Sequence, residues 1–167
     1  MSCKFRYGEF HRQFNAKRTI STFVKRIMRI IIVSGARSNV GKTRMAQQLL
    51  RGLRGWSALK VTVSKEEGCP RERSCGVCPE INEPFYIVKD EKIINQAGKD
   101  TARLKDSGAK QVIWLKARPA GLKHGLAKAL SEFSRCRGVI IEGTSALKFI
   151  RPDINIHIYE KGNYKIC

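Results

Sequence analysis

The sequence predicts an α/β fold with a mostly parallel central sheet and helices on both faces. Three observations lead there. Short apolar runs of strand length alternate with stretches whose apolar residues recur at helical spacing. The strand cores, "IIIV" at 30–33, "QVIWL" at 111–115 and "GVII" at 138–141, are uninterrupted, which is the pattern of strands covered on both faces. A glycine-containing loop joins the first of these strands directly to a helical stretch, as in a strand, helix, parallel-strand unit.

Taken in order, the run opening at Met28 forms a strand over 28–34. A helix follows over 42–54, with Met45, Ala46, Leu49, Leu50 and Leu53 on one face. "SALKVTVS" at 57–64 is a second strand. The stretch 66–84, "EEGCPRERSCGVCPEINEP", shows neither period; its charges, Gly, Pro and three Cys mark an inserted loop. "FYIV" at 85–88 is a short strand, and 90–108 is polar and weakly helical. "QVIWLKA" at 111–117 is a strand. Behind "RPA", Leu122, Leu126, Leu130 and Phe133 predict a helix over 119–134. "GVIIEG" at 138–143 and "INIHIYE" at 154–160 complete the strands.

The 167 residues suffice for one domain with a real core. The longest apolar run is far shorter than the roughly 18 residues needed to cross a bilayer, so no membrane association is expected. A formal net charge of +19 implies attraction to polyanions, nucleotide phosphates among them. The basic residues are scattered, without blocks or aromatic interleaving, which disfavours a dedicated nucleic-acid surface; that alternative would give salt-sensitive binding independent of any phosphate loop.

Residues 1–27 hold Lys4, Arg6, Arg12, Lys17, Arg18, Lys25 and Arg26 against one acid, Glu9. They are read as a basic extension, disordered or a mis-assigned start, before a nucleotide-binding domain at 28–167. Six cysteines without an export signal favour a reducing, cytoplasmic setting over a disulfide scaffold.

Gly35 to Thr43, "GARSNVGKT", follows GxxxxGK[ST], the pattern of a phosphate-binding P-loop, at its closing positions Gly41, Lys42 and Thr43; Ala36 stands at the opening position, with Gly35 just before it. Gly35 and Gly41 let the backbone approach phosphate oxygens. Lys42 supplies a mobile positive charge, and Thr43 offers a hydroxyl to Mg²⁺. Asn39, Val40 and Arg44 complete the candidate nucleotide-binding stretch at a helix start that favours anions. The fold class sharpens to a P-loop NTPase three-layer architecture.

Such a site needs a carboxylate at the end of another buried strand to orient the metal. Glu142, closing "GVIIE", fits that role; the alternative is an acid emerging into solvent. Lys42 and Glu142 are the candidate catalytic pair. An Asn-Lys-x-Asp segment for reading guanine is missing, "VKDE" and "GKDT" being imperfect neighbours, so ATP and GTP both stand.

Three segments together resemble the molybdopterin-guanine dinucleotide biosynthesis protein B family: "GARSNVGKT", "GKDTARLKDSGA" at 98–109 and "VIIEGTSALKFIRPDI" at 139–154. The resemblance spans about residues 28–160. It implies a P-loop protein of the dethiobiotin-synthetase-like branch, a homodimer that assists attachment of a nucleotide to molybdopterin and partners molybdenum-cofactor enzymes. By the same resemblance Lys42 and Thr43 hold phosphate and Mg²⁺, Glu142 serves the metal, and Asp100 and Arg103 lie near the nucleotide. Read from the residues alone, Asp100 caps a helix and Arg103 sits on its solvated face. After the second strand the family carries a Lys-His segment, whereas here Lys65 is followed by cysteines.

Cys69, Cys75 and Cys78 have the spacing Cx5CxxC, suited to Zn²⁺ or an iron–sulfur cluster if a fourth ligand comes from Cys136, Cys3, a histidine or a second subunit. A redox pair and inert thiols are the alternatives. Cys136 on its own reads as a small hydrophobe, and His11, His124 and His157 as structural. The leading expectation is a slow Mg²⁺-dependent purine NTPase. The alternatives are a metal or iron–sulfur carrier switched by nucleotide and an ATP-dependent ligase of dethiobiotin-synthetase type.

Overall fold

The computed structural model describes residues 28–64, 83–133 and 136–159. Six strands and four helices follow in chain order. They are β1 (Arg29–Gly35), α1 (Lys42–Gly52), β2 (Ser57–Val63), β3 (Phe85–Val88), α2 (Glu91–Ile94), α3 (Asp100–Asp106), β4 (Val112–Ala117), α4 (Leu122–Ser131), β5 (Gly138–Glu142) and β6 (Ile154–Ile158), with a 3₁₀ turn at Thr144–Lys148 before β6. The strands form one sheet in the order β3-β4-β2-β5-β1-β6. All pairings are parallel except that of the edge strand β3 with β4.

The continuous apolar strands are explained by two cores, one on each face. Ile31, Val33, Ala58, Trp114 and Ile140 point to one side, where Ala46 and Leu50 of α1 and Leu104 of α3 cover them. Ile32, Leu59, Ile113, Leu115 and Ile141 point to the other, beneath Leu122, Leu126, Ala129 and Leu130 of α4. Alternate residues of each strand thus feed opposite layers, and neither face can tolerate a polar alternation. Each fully buried Leu or Ile contributes about 1.5–3 kcal/mol relative to exposure, so the three-layer arrangement follows from the strand composition.

Some boundaries differ from the sequence reading. The segment at 90–108 is two short helices, tied where Thr101 Oγ1 donates to the Ile94 carbonyl (2.8 Å). The helix expected over 119–134 begins only at Leu122, because Arg118 to Gly121 close a tight turn with Gly121 N donating to the Arg118 carbonyl (3.0 Å). The last strand stops at Ile158. Of the inserted loop at 66–84, only Glu83 and Pro84 fall among the described residues, and the basic extension at 1–27 lies wholly outside them.

The β3 edge is fastened to α4 by polar contacts. Lys89 donates to Glu132 Oε2 at 2.8 Å, and Lys128 stands 3.4 Å from the same carboxylate. The two ammonium groups, Lys89 foremost, hold the Glu132 carboxyl below its ordinary range. Among the described residues no helix is long and apolar enough to cross a membrane.

Candidate functional site

The strand order places β5 between β1 and β2, so the chain leaving β1 crosses over the end of β5 as it enters α1. Ligands of open α/β sheets bind in crevices at the carboxyl ends of strands. Here that edge is set by register: Val33, Glu142 and Lys60 lie side by side on β1, β5 and β2.

The loop after β1 turns on two residues with left-handed backbone, Asn39 (φ 61) and Gly41 (φ 99). Gly41 is the N-cap of α1, and the helix starts without a side-chain cap and without an acidic residue in its first turn. Its leading N–H groups therefore face the cleft unsatisfied by helix geometry, with the positive end of the dipole behind them. Lys42 Nζ donates back to the Arg37 carbonyl at 2.7 Å, so its charge is held over the loop. Gly35 is needed for close approach. A Cβ there would stand 2.6 Å from Val40 Cγ1 and 3.3 Å from the Ile158 carbonyl oxygen.

Opposite the loop, Thr43 Oγ1 donates to Glu142 Oε1 at 2.6 Å. Glu142 is 6% exposed, so it does not emerge into solvent as one reading of the sequence had it. Its second oxygen, Oε2, is buried and makes no hydrogen bond; Lys60 Nζ stands 3.7 Å from it. Lys60 is hydrogen-bonded to Asp100 Oδ2, and Arg103 lies 3.9 Å from Asp100 Oδ1. A buried carboxylate is costly unless compensated, and this chain of contacts is the compensation. Asp100 is not a helix cap: Lys99 holds that position and no side chain caps α3. Its carboxylate turns to Lys60 instead.

These residues enclose a cleft of about 750 Å³. Of the sequence candidates, Asn39, Gly41, Lys42, Thr43, Arg44, Asp100, Arg103 and Glu142 line it together. Gly35 and Val40 do not; they pack against each other beneath the loop and shape it. Cys69, Cys75, Cys78 and Lys65 lie outside the described residues. Cys136 sits at the amino end of β5, far along that strand from Glu142. It packs into the α4-side core with its Sγ 3.6 Å from Met28 Sδ, as a small hydrophobe does. His157 pairs with Ser34 Oγ (2.9 Å) and joins β6 to β1.

The sequence reading missed three parts of this arrangement. Gln47, Gln48 and Arg51 line the cleft with Arg44, and their spacing of three, four and seven marks one polar stripe of α1. Lys60 is a lone charge inside the strand run "SALKVTV", a signal that such a residue has a buried partner. Thr144, just past β5, has its hydroxyl 3.0 Å from both the N–H and the carbonyl oxygen of Gly35, accepting from the first and donating to the second. Nothing in its immediate sequence announces that lock.

The donor set fits a hard divalent cation. Mg²⁺ takes oxygen ligands, commonly one or two carboxylates completed by substrate phosphates and water. Thr43 Oγ1 and the hydrogen-bond-free Glu142 Oε2 would hold it, beside a helix start able to receive phosphate. Among the described residues, His, Cys, Asp and Glu side chains nowhere gather in threes able to bind a metal, so phosphate oxygens would have to complete such a site. Comparison with protein-family models, with curated proteins and with solved structures finds no match to the chain.

Proposed function

We propose that this chain binds a purine nucleoside triphosphate, GTP or ATP, together with Mg²⁺ and hydrolyses it slowly. On this reading it serves molybdopterin-guanine dinucleotide assembly, as in the family its three motifs resemble. The observation that carries the nucleotide reading is the meeting of Thr43 and Glu142. A hydroxyl on the first turn of an uncapped helix is hydrogen-bonded to a buried carboxylate on the neighbouring strand, beneath a loop bearing Lys42. Phosphate would take the α1 N–H groups and Lys42, while Thr43 and Glu142 hold the cation, whose charge offsets that developing on the phosphate oxygens.

Slow turnover follows from the carboxylates. Of the two that line the cleft, Asp100 is held by Lys60, and Glu142 gives Oε1 to Thr43 and on this reading Oε2 to the cation, which leaves neither as a ready base for water. The test is titration of ATP and GTP, with and without Mg²⁺, into the protein and its Lys42→Ala variant. Lys42 is half-buried and its ammonium bonds to the Arg37 carbonyl of the same loop, so the variant keeps its fold and loses about tenfold or more in affinity. Equal affinities in the two proteins would overturn the phosphate site, and the preferred base decides between GTP and ATP.

A further inference from the structure

We infer that Lys60 is the resident counter-ion of the cation site: its ammonium compensates Glu142 when no divalent cation is present and yields that position to Asp100 when one arrives. The inference rests on Glu142 serving the cation, as proposed above, and adds a competitor that sets how tightly the cation is held.

Three observations support it. Glu142 is more than nine-tenths buried, and its Oε2 lacks a hydrogen bond while Oε1 is taken by Thr43. Lys60 Nζ, at 3.7 Å, is beyond hydrogen-bond reach of that oxygen yet close enough to neutralise it. The same ammonium is already bonded to Asp100, whose side chain is 36% exposed against 7% for Glu142. Lys60 thus stands between a wet carboxylate that can hold it and a dry one that needs a cation. The register fixes this placement, since Lys60 and Glu142 are directly paired on adjacent parallel strands. A divalent ion at Glu142 would meet Lys60 as a like charge in a poorly solvated cleft, and the lysine's second bond keeps it compensated as it is displaced. Cation binding is therefore weakened by Lys60 and restored in part by Asp100.

The experiment uses Mn²⁺ alone, without nucleotide, followed by the paramagnetic resonance of the free ion over the full chain. Lys60→Met should bind Mn²⁺ about tenfold or more tighter than the unchanged protein, because a like charge at close range is gone. Lys60→Arg should stay near the unchanged protein. Asp100→Asn should bind more weakly, since Lys60 then turns wholly to Glu142, and that loss should vanish in the Lys60→Met background. Lys60→Met binding no tighter than the unchanged protein overturns the inference. So does a loss from Asp100→Asn that persists without the lysine, which would make Asp100 a direct ligand. Should Lys60→Met fail to fold, Asp100→Asn decides alone, and undiminished Mn²⁺ binding there overturns the inference. Nucleotide plays no part in the readout. A gain in Lys60→Met without nucleotide binding therefore sinks only the proposed function, and nucleotide binding without the gain sinks only the role of Lys60.

Discussion

Thr43 and Glu142, 99 positions apart in the chain, share a 2.6 Å hydrogen bond that joins the first turn of α1 to the end of β5. One partner is a hydroxyl and the other a buried carboxylate, so their contributions can be separated by substitution. Glu142→Gln keeps the size of the side chain and an oxygen that accepts from Thr43, and it removes the charge a cation requires. The variant is expected to fold and to bind nucleotide in EDTA as before, while the gain in affinity on adding Mg²⁺ drops by about tenfold or more. Paired titrations with and without Mg²⁺ check this; a full Mg²⁺ response in Glu142→Gln would place the cation elsewhere.

Two glycines on either side of α1 are expected to respond in opposite directions to the same added methyl. At Gly35 a Cβ would meet Val40 Cγ1 at 2.6 Å, Lys42 Cγ at 3.2 Å and the Ile158 carbonyl at 3.3 Å. The loop must shift, so Gly35→Ala should lose about 1–3 kcal/mol and weaken nucleotide binding further through the displaced Lys42. Gly52 ends the helix with nothing within 4 Å of its would-be Cβ. There alanine should stabilise by about 0.5–1 kcal/mol through its better helix propensity. Urea denaturation of both variants reads the two signs.

The sequence revealed those features that depend on local pattern. Strands buried on both faces appear as apolar runs because no position can be polar, so β1, β4 and β5 and the three-layer plan were legible. The loop from Gly35 to Thr43 was legible because its residue types each answer a backbone or charge requirement. Lys60 was passed over because its meaning depends on β2 lying against β5, and strand order is not written in either segment. The same holds for Asp100. Its position at the start of α3 looks like a cap until the lysine across the cleft claims its carboxylate. The two short helices at 91–94 and 100–106 were merged because four and seven residues are too few to establish a period.

Thr144 offers the last test, since it acts on the loop without touching the cleft. Its hydroxyl both accepts from Gly35 N–H and donates to the Gly35 carbonyl, each at 3.0 Å. The 3₁₀ turn after β5 thereby holds the residue at which β1 gives way to the loop. Thr144→Val matches the shape and removes both bonds, leaving the Gly35 N–H without that partner. The expected loss is about 1 kcal/mol of stability. Nucleotide affinity should fall as well, because the start of the loop is no longer fixed relative to Glu142, two residues before Thr144 on the same segment. Thr144→Ser retains the hydroxyl and should recover both properties, whereas a purely steric role for the methyl would impair Ser and spare Val. Thermal unfolding and nucleotide titration of the two variants decide the matter, and full affinity in Thr144→Val would show that the loop holds its shape unaided.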